Sequence, residues 1–325
     1  MDRTAIEFQK VSKQYPHTSQ YAVREVSARI PEGSFITILG TSGSGKTTFL
    51  KMINRIYEPT SGDILFFGES IKQLKVEEYR RKIGYVIQQI GLFPHMTIEE
   101  NIATVPTILN WDKKRIARRV EELLELVGLV PQDYKKRYPR QLSGGQQQRV
   151  GLARAMAADP AIMLMDEPFG AIDAITRQTL QDELLRIQKK LHKTILFVTH
   201  DIGEAFKLGD QVIIMHNGEI QQFDTPYNIL LRPANEYVAR LVSTEDTLQQ
   251  LKVVTAKSAM TAVQEPHHHP VGRVRQDVSL YAVLTCLLES AQPYVLVEDE
   301  AGNVIGKITW DELKVKNKRQ TSVSA

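Results

Sequence analysis

The chain has 325 residues, 41 basic against 38 acidic side chains, a formal net charge of +3 and one cysteine, Cys286. That balance argues against the clustered basic surface of a nucleic-acid-binding protein, and a single cysteine excludes a disulfide framework, which fits a reducing compartment. The length allows about two domains at roughly 100–200 residues each. No run approaches the ~18–20 apolar residues of a membrane-spanning helix. Met1-Asp2-Arg3 opens no apolar stretch, so no signal peptide is expected and the chain is expected to be cytosolic.

Up to roughly Tyr85 the pattern is strand-rich. Ser34 to Leu39 is β-branched and apolar and reads as a buried strand. Gly40-Thr41-Ser42-Gly43-Ser44-Gly45-Lys46-Thr47-Thr48 follows, and Thr47 to Ile53 reads as a helix. Strand, glycine loop and helix are the setting that a P-loop requires. Glycines let backbone amides turn toward phosphates, and the helix N-terminus adds partial positive charge. The pattern predicts Lys46 on the β- and γ-phosphates of ATP and the Thr47 hydroxyl on Mg2+. Asp63 to Gly68 reads as a strand and turn.

Between Gln88 and Leu142 lies a mostly helical stretch punctuated by Pro94 and Pro106. A helix over 111–127 places Arg115, Arg118 and Arg119 among Glu121, Glu122 and Glu125, which reads as a solvated face. Leu142-Ser143-Gly144-Gly145-Gln146 then opens a helix whose N-terminus suits a phosphate. Ala161 to Met165 is an apolar run ending in Asp166-Glu167, the pattern of a buried parallel strand. Carboxylates at such a strand end sit where open α/β sheets bind ligands. Asp166 suits the surroundings of Mg2+, and Glu167 suits polarising an attacking water. A solvated acidic turn before Pro168 is the plainer alternative for this pair taken alone. Strands and helices alternate afterwards, the pattern of a parallel sheet.

With these motifs in this order, the chain resembles an ATP-binding cassette (ABC) subunit. Leu142 to Gln146, continued by Gln147-Gln148-Arg149, matches that family's signature without a departure. The resemblance implies an α/β fold with a parallel core sheet, an antiparallel β subdomain and a helical subdomain. It implies a head-to-tail homodimer in which Ser143, Gly144, Gly145 and Gln146 of one copy face the ATP on the other copy's P-loop. It places Gln88 at the Mg2+ and on the relay to a membrane partner, with Gln89 as its neighbouring rival. His200 is placed on the γ-phosphate, and Asp173, in Gly170-Ala171-Ile172-Asp173, in the loop that crosses the dimer interface. Tyr15 is placed under the adenine, with Tyr21 as rival. Ile90 to Met96 is the expected docking edge for transmembrane permease subunits, with ordinary core as the alternative. Every catalytic position of the family is present, so an active ATPase is expected.

The cassette motifs end near residue 235. The expected division is 1–235 for the cassette, 236–253 for a helical linker and 254–325 for a further module with a basic tail. In that module Ser279 to Ser290 has helical apolar spacing, Tyr294 to Val297 and Val304 to Thr309 read as strands, and Trp310 starts a helix. This order resembles a single CBS (cystathionine-β-synthase-type) module of α+β type. One copy buries little surface, which would favour pairing with a second copy. His267-His268-His269 lacks spaced partners for a metal, and Lys314, Lys316, Lys318 and Arg319 read as a tail.

Cassette and module together resemble the energy-coupling subunits of glycine betaine, carnitine and choline importers. That implies a place at the cytoplasmic face of the cell membrane and an indirect partner in an extracytoplasmic solute-binding protein. Import of proline or another amino acid, or a soluble non-transport ATPase, are the alternatives.

Overall fold

The computed structural model describes residues 3–16, 18–88, 91–170, 172–243, 251–252, 254–261, 272–290 and 292–313. Gln89, Ile90, Ala171, Val253, the His267-His268-His269 run and the basic Lys314, Lys316, Lys318 and Arg319 lie outside them. The chain forms two compact units, Met1–His200 with Met215–Ile220, and Asp201–Ile214 with Gln221–Ala325.

In the first unit β1 (Thr4–Gln14) and β2 (Tyr21–Pro31) pair antiparallel. Next, β3 (Phe35–Leu39) leads through the glycine loop into α1 (Lys46–Ile53). The chain returns through β4 (Ser61–Phe66) and β5 (Glu69–Ser70), which complete an antiparallel sheet in the order β2-β1-β4-β5. After α2 (Val76–Arg80) comes β6 (Ile83–Val86), and then the helices α3 (Ile98–Ile108), α4 (Lys113–Leu126), α5 (Pro131–Tyr134) and α6 (Gly144–Met156). β7 (Ile162–Asp166), α7 (Ala174–Leu191) and β8 (Thr194–Thr199) follow.

β3, β7 and β8 are buried at every position. Parallel strands covered on both faces read as unbroken apolar runs rather than as alternation, which is why the sequence announces them. They pair in parallel, β6 with β7, β7 with β8 and β8 with β3. Their C-terminal ends therefore open onto one edge. The glycine loop leaves β3 there, Gln88 follows β6, Asp166 and Glu167 close β7, and His200 follows β8.

The helical part is pinned by local chemistry. Thr97 and Glu100 form a capping box at the start of α3. Asn101, fully buried, accepts from the Phe93 amide and donates to the Phe93 and Met96 carbonyls, which fixes the loop before α3. Asp112 caps α4, whose Val120, Leu123 and Leu124 are buried. α3, α4 and α6 pack on one another.

The expected solvated face on α4 holds for Arg115 and Arg118, which are exposed, while Arg119 is half-buried. Arg115 lies over the Trp111 ring at 3.6 Å, and Arg119 donates to the Met156 and Ala157 carbonyls at 3.0 and 3.3 Å. Arg119 thus neutralises the C-terminal end of α6, where carbonyls lack helical partners.

The second unit holds α8 (Ile202–Leu208), most of β9 (Gln211–His216) and β10 (Glu219–Asp224), α9 (Pro226–Leu231) and α10 (Glu236–Val242). Beyond them, β11 (Arg273–Arg275) runs parallel to β12 (Tyr294–Glu298), which pairs antiparallel with β13 (Val304–Thr309). A helix over Leu280–Ser290 buries Leu280, Val283 and Leu287 and packs on β12. The helix, the two strands and the final helix expected there are all present. β11 was not expected, because Arg-Val-Arg is too short and too charged to register as a strand. Within this unit the helix Ala256–Ala259 packs on α9, and the Tyr227 hydroxyl donates to the Glu312 carbonyl. Among the described residues no helix is long and apolar enough to cross a membrane.

Candidate nucleotide site

The glycine loop is held in a conformation that side chains would obstruct. Gly45, the N-cap of α1, has φ 103°, and a Cβ there would lie 2.2 Å from the Ala22 carbonyl oxygen. Lys46 is only 5% exposed and donates from Nζ to the Gly40 and Thr41 carbonyls at 2.7 and 2.9 Å. Burial lowers its pKa, and the charges of Glu167 and Asp166 act against that shift. The lysine is therefore poised at the loop's mouth with acceptors that a phosphate can replace.

Thr47 Oγ1 donates to Asp166 Oδ1 at 3.0 Å, joining the start of α1 to the end of β7. Burial raises the Asp166 pKa, while the Thr47 hydrogen bond and the charges of Lys51 and Lys46 lower it. Glu167 has φ 45°, a left-handed backbone that costs a non-glycine residue on the order of 1–3 kcal/mol. Its amide donates to the Val198 carbonyl at 3.0 Å, which ties the strained turn to β8. From that turn Glu167 Oε2 meets His200 Nδ1 at 3.2 Å and the Gln88 side-chain amide at 3.5 Å. Glu167 thus joins three strand ends: its own β7, β8 through His200 and β6 through Gln88.

The Tyr15 hydroxyl lies 3.1 Å from Thr48 Oγ1, and its ring meets Tyr57 edge-on with centroids 5.5 Å apart. Burial raises the Tyr15 pKa, and Tyr57 adds to the shift while the Thr48 hydrogen bond opposes it. The Tyr15 side chain thus stands beside the first turn of α1. Tyr21, its rival, is an exposed residue at the start of β2.

A second group stands on α6 and α7. Ser143 caps α6, its hydroxyl accepting from the Gln146 amide, and the Gln146 side-chain oxygen in turn accepts from the Ser143 amide at 3.0 Å. Gln146 also donates to the Tyr134 hydroxyl at 3.0 Å. Asp173 caps α7 by accepting from the Thr176 amide at 3.0 Å, and that backbone bond holds its carboxyl below the ordinary aspartate range. Among the described residues the hydrogen bonds of Ser143, Gln146 and Asp173 thus go to their own helix starts and to Tyr134.

Three contributors escaped the sequence reading: Tyr57 against Tyr15, Lys51 acting on Asp166, and Tyr85, whose phenol feels the Asp166 charge. Lys51 alone carried a local signal, one turn after the P-loop threonines on α1. The two tyrosines act across the fold and had none.

The ABC transporter family matches residues 23–170. The chain is 46% identical over 319 residues to the carnitine transport ATP-binding protein OpuCA of Listeria monocytogenes (serotype 1/2a, strain 10403S), covering 98% of this chain and 78% of that protein. It is 43% identical over 311 residues to the glycine betaine uptake system ATP-binding protein YehX of Escherichia coli (strain K12), covering 96% and 99%. Among solved structures, the dimeric post-hydrolysis ATP-binding cassette MJ0796 bound to ADP and Pi superposes with a TM-score of 0.60 at 35% identity, over 68% of this chain and 98% of that one. A P-loop, a buried acidic strand end and a signature helix, set on this sheet and matched along nearly the whole sequence, leave one conclusion: the chain belongs to the ABC transporter family, as an ATP-binding and ATP-hydrolysing member.

Proposed function

We propose that this chain is the energy-coupling ATPase subunit of an importer for glycine betaine, carnitine or choline-type osmoprotectants. The observation that carries the reading is the convergence of Lys46, Thr47, Asp166, Glu167, Gln88 and His200 at one sheet edge, in a chain that aligns almost end to end with carnitine and glycine betaine transport ATP-binding proteins.

In this reading the backbone amides of Gly40 to Thr48 and the Lys46 ammonium hold the phosphates, and Tyr15 stacks on the adenine. Glu167 takes a proton from the attacking water, while Gln88 and His200 orient around the γ-phosphate. The donors beside the phosphates are a hydroxyl, a carboxylate and a side-chain amide. They suit Mg2+, a hard cation that takes oxygen ligands and is commonly held by one or two carboxylates plus substrate phosphates. Thr47, Gln88 and Asp166 would hold it, and it would neutralise charge building on the phosphate oxygens.

Ser143, Gly144, Gly145 and Gln146, with Asp173, would complete the site on a second copy, giving a head-to-tail homodimer with ATP between the copies. Among the described residues the Ser143, Gln146 and Asp173 side chains bond locally, at helix starts and to Tyr134, which leaves them to act on a second copy in this reading. A groove lined by Arg80, Tyr85, Phe93, Thr104, Arg154 and Pro160 suits a segment of a transmembrane permease, at the cytoplasmic face of the cell membrane. An extracytoplasmic protein would deliver the solute. The cassette would occupy 1–235 and the linker 236–253, with 254–325 as a CBS-like module that pairs between copies.

The test is ATPase activity of the subunit reconstituted with its permease in vesicles, comparing binding protein loaded with glycine betaine and with proline. Stimulation by the betaine-loaded protein alone supports the reading. Stimulation by the proline-loaded protein alone overturns the substrate class.

A further inference from the structure

A side chain from outside α6 reaches its first turn: Tyr134 of α5, which no role above uses. Within that turn the Ser143 hydroxyl accepts from the Gln146 amide at 3.3 Å, and Gln146 Oε1 accepts from the Ser143 amide at 3.0 Å. The other half of the Gln146 side chain, Nε2, donates to the Tyr134 hydroxyl oxygen at 3.0 Å. The two contacts agree on one orientation of the side-chain amide. A backbone N–H can only donate, so Oε1 must face Ser143, which leaves Nε2 toward the phenol oxygen, an acceptor.

Tyr134 is itself fixed. The Arg137 guanidinium lies over its ring, 4.6 Å from the centroid, and Arg137 Nε donates to the Asp133 carbonyl at 2.7 Å. The residues that follow serve the start of α3. The Lys135 carbonyl accepts from the Glu99 amide at 3.0 Å, and the Arg137 carbonyl accepts from the Ile98 amide at 2.8 Å. Those amides lie in the first turn of α3, where partners within the helix are lacking. On α3, Asn101 holds Phe93, and Phe93 and Thr104 line the groove described under Proposed function. Through Tyr134 the Gln146 side chain is therefore braced against the segment that caps α3, and not only against its own helix.

Gln146 and Ser143 are only partly covered or exposed in the single chain. Ordering one free, rotamer-rich side chain as an interface forms costs roughly two- to tenfold in affinity. We propose that Tyr134 is a positioning residue: its hydroxyl holds the Gln146 side chain, and with it the capped Ser143, in the arrangement that a partner's nucleotide meets, so that closure of the dimer has nothing left to order there. The inference rests on the assignment of Ser143 and Gln146 to a second copy's nucleotide made under Proposed function.

Tyr134→Phe removes the hydroxyl and keeps the ring under Arg137, so packing is preserved. The experiment is sedimentation of the full chain carrying Glu167→Gln, which slows hydrolysis, across a concentration series with ATP and Mg2+, with and without Tyr134→Phe. Calorimetric titration with ADP and thermal melting accompany it. A head-to-tail dimer contains two such sites, so Tyr134→Phe should weaken ATP-driven dimerisation about tenfold. ADP affinity and the melting temperature should stay close to those of the Glu167→Gln chain. An unchanged dimer dissociation constant overturns the proposal, and so does an equal loss of ADP affinity, which marks a merely structural tyrosine. Ser143→Ala in the same background separates the two readings. If it weakens the dimer while Tyr134→Phe does not, the positioning role alone fails. If Ser143→Ala also leaves the dimer unchanged, or if ATP drives no dimer at all, the assignment of Ser143 to a second copy fails and the inference falls with it.

Discussion

Gly145 on α6 sits so close to Thr176 on α7 that a Cβ added to the glycine would lie 2.6 Å from the threonine Cγ2. Thr176 is β-branched and stiff at χ1, and its amide already serves the Asp173 cap. This signature glycine therefore has a packing duty inside its own chain besides any contact with a partner's nucleotide. Gly145→Ala should destabilise the fold by roughly 1–3 kcal/mol, the usual cost of overpacking. Adding Thr176→Ser, which removes the clashing methyl, should restore the melting temperature without restoring ATPase activity. Recovery of activity along with stability would assign Gly145 to packing alone.

Glu167→Gln keeps the shape of the side chain and removes its capacity to accept a proton. ATP binding should persist while phosphate release slows by about 10²–10⁴-fold, the range that general-base catalysis supplies. Equilibrium ATP binding and single-turnover phosphate release measure the two separately. Loss of binding equal to the loss of turnover would show that Glu167 acts in holding nucleotide rather than in activating water.

Tyr15→Ala should weaken ATP binding by on the order of 1–3 kcal/mol through the lost stacking surface. Tyr15→Phe, which loses only the hydroxyl contact with Thr48, should cost about 1 kcal/mol or less. Binding of inorganic triphosphate, which has no base, should be unchanged by either substitution. A matching loss for triphosphate would move Tyr15 from base recognition to support of the P-loop.

Asp159 gives a pH prediction. Its pKa is lowered, first by the hydrogen bond from Lys193 at 2.8 Å and then by the charges of Lys193 and Arg119. A carboxyl with a depressed folded pKa contributes stability that is present above the ordinary aspartate value near ~3.9 and is lost as pH falls through the folded value. Asp159→Asn should therefore flatten the loss of stability below about pH 4. At neutral pH the cost should be under ~1 kcal/mol, because the side chain is 66% exposed and solvent screens the pair. Chemical denaturation across pH 3–7 reads both effects.

Much of the cassette is legible in the sequence because its chemistry is local. A buried strand, a glycine loop and a helix are contiguous, so Lys46 and Thr47 follow from thirteen residues read in order. Asp166 and Glu167 are marked by the apolar run before them, and His200 by the strand that ends at Thr199. Contacts that join distant segments left no such trace. Arg119 looks like one charge among several until α6 ends beside it, and Thr176 looks like an ordinary helix residue until Gly145 meets it. The β11 strand has only Arg273-Val274-Arg275 to declare it, and its register partner β12 lies some twenty residues further on.

The hydrogen bond from Tyr227 to the Glu312 carbonyl bears on how the C-terminal segment should be dissected. Tyr227 is 7% exposed and stands on α9, ahead of the residues where the cassette motifs end. A truncation after Val253 would remove Glu312 and strip the helix Ala256–Ala259 from α9, leaving a buried phenol without its acceptor and fresh apolar surface in water. A shortened chain that lost ATPase activity would then report damage to α9 as much as the loss of the C-terminal module. Tyr227→Phe in the full-length chain breaks the tie and leaves both partners in place, so it isolates communication from integrity.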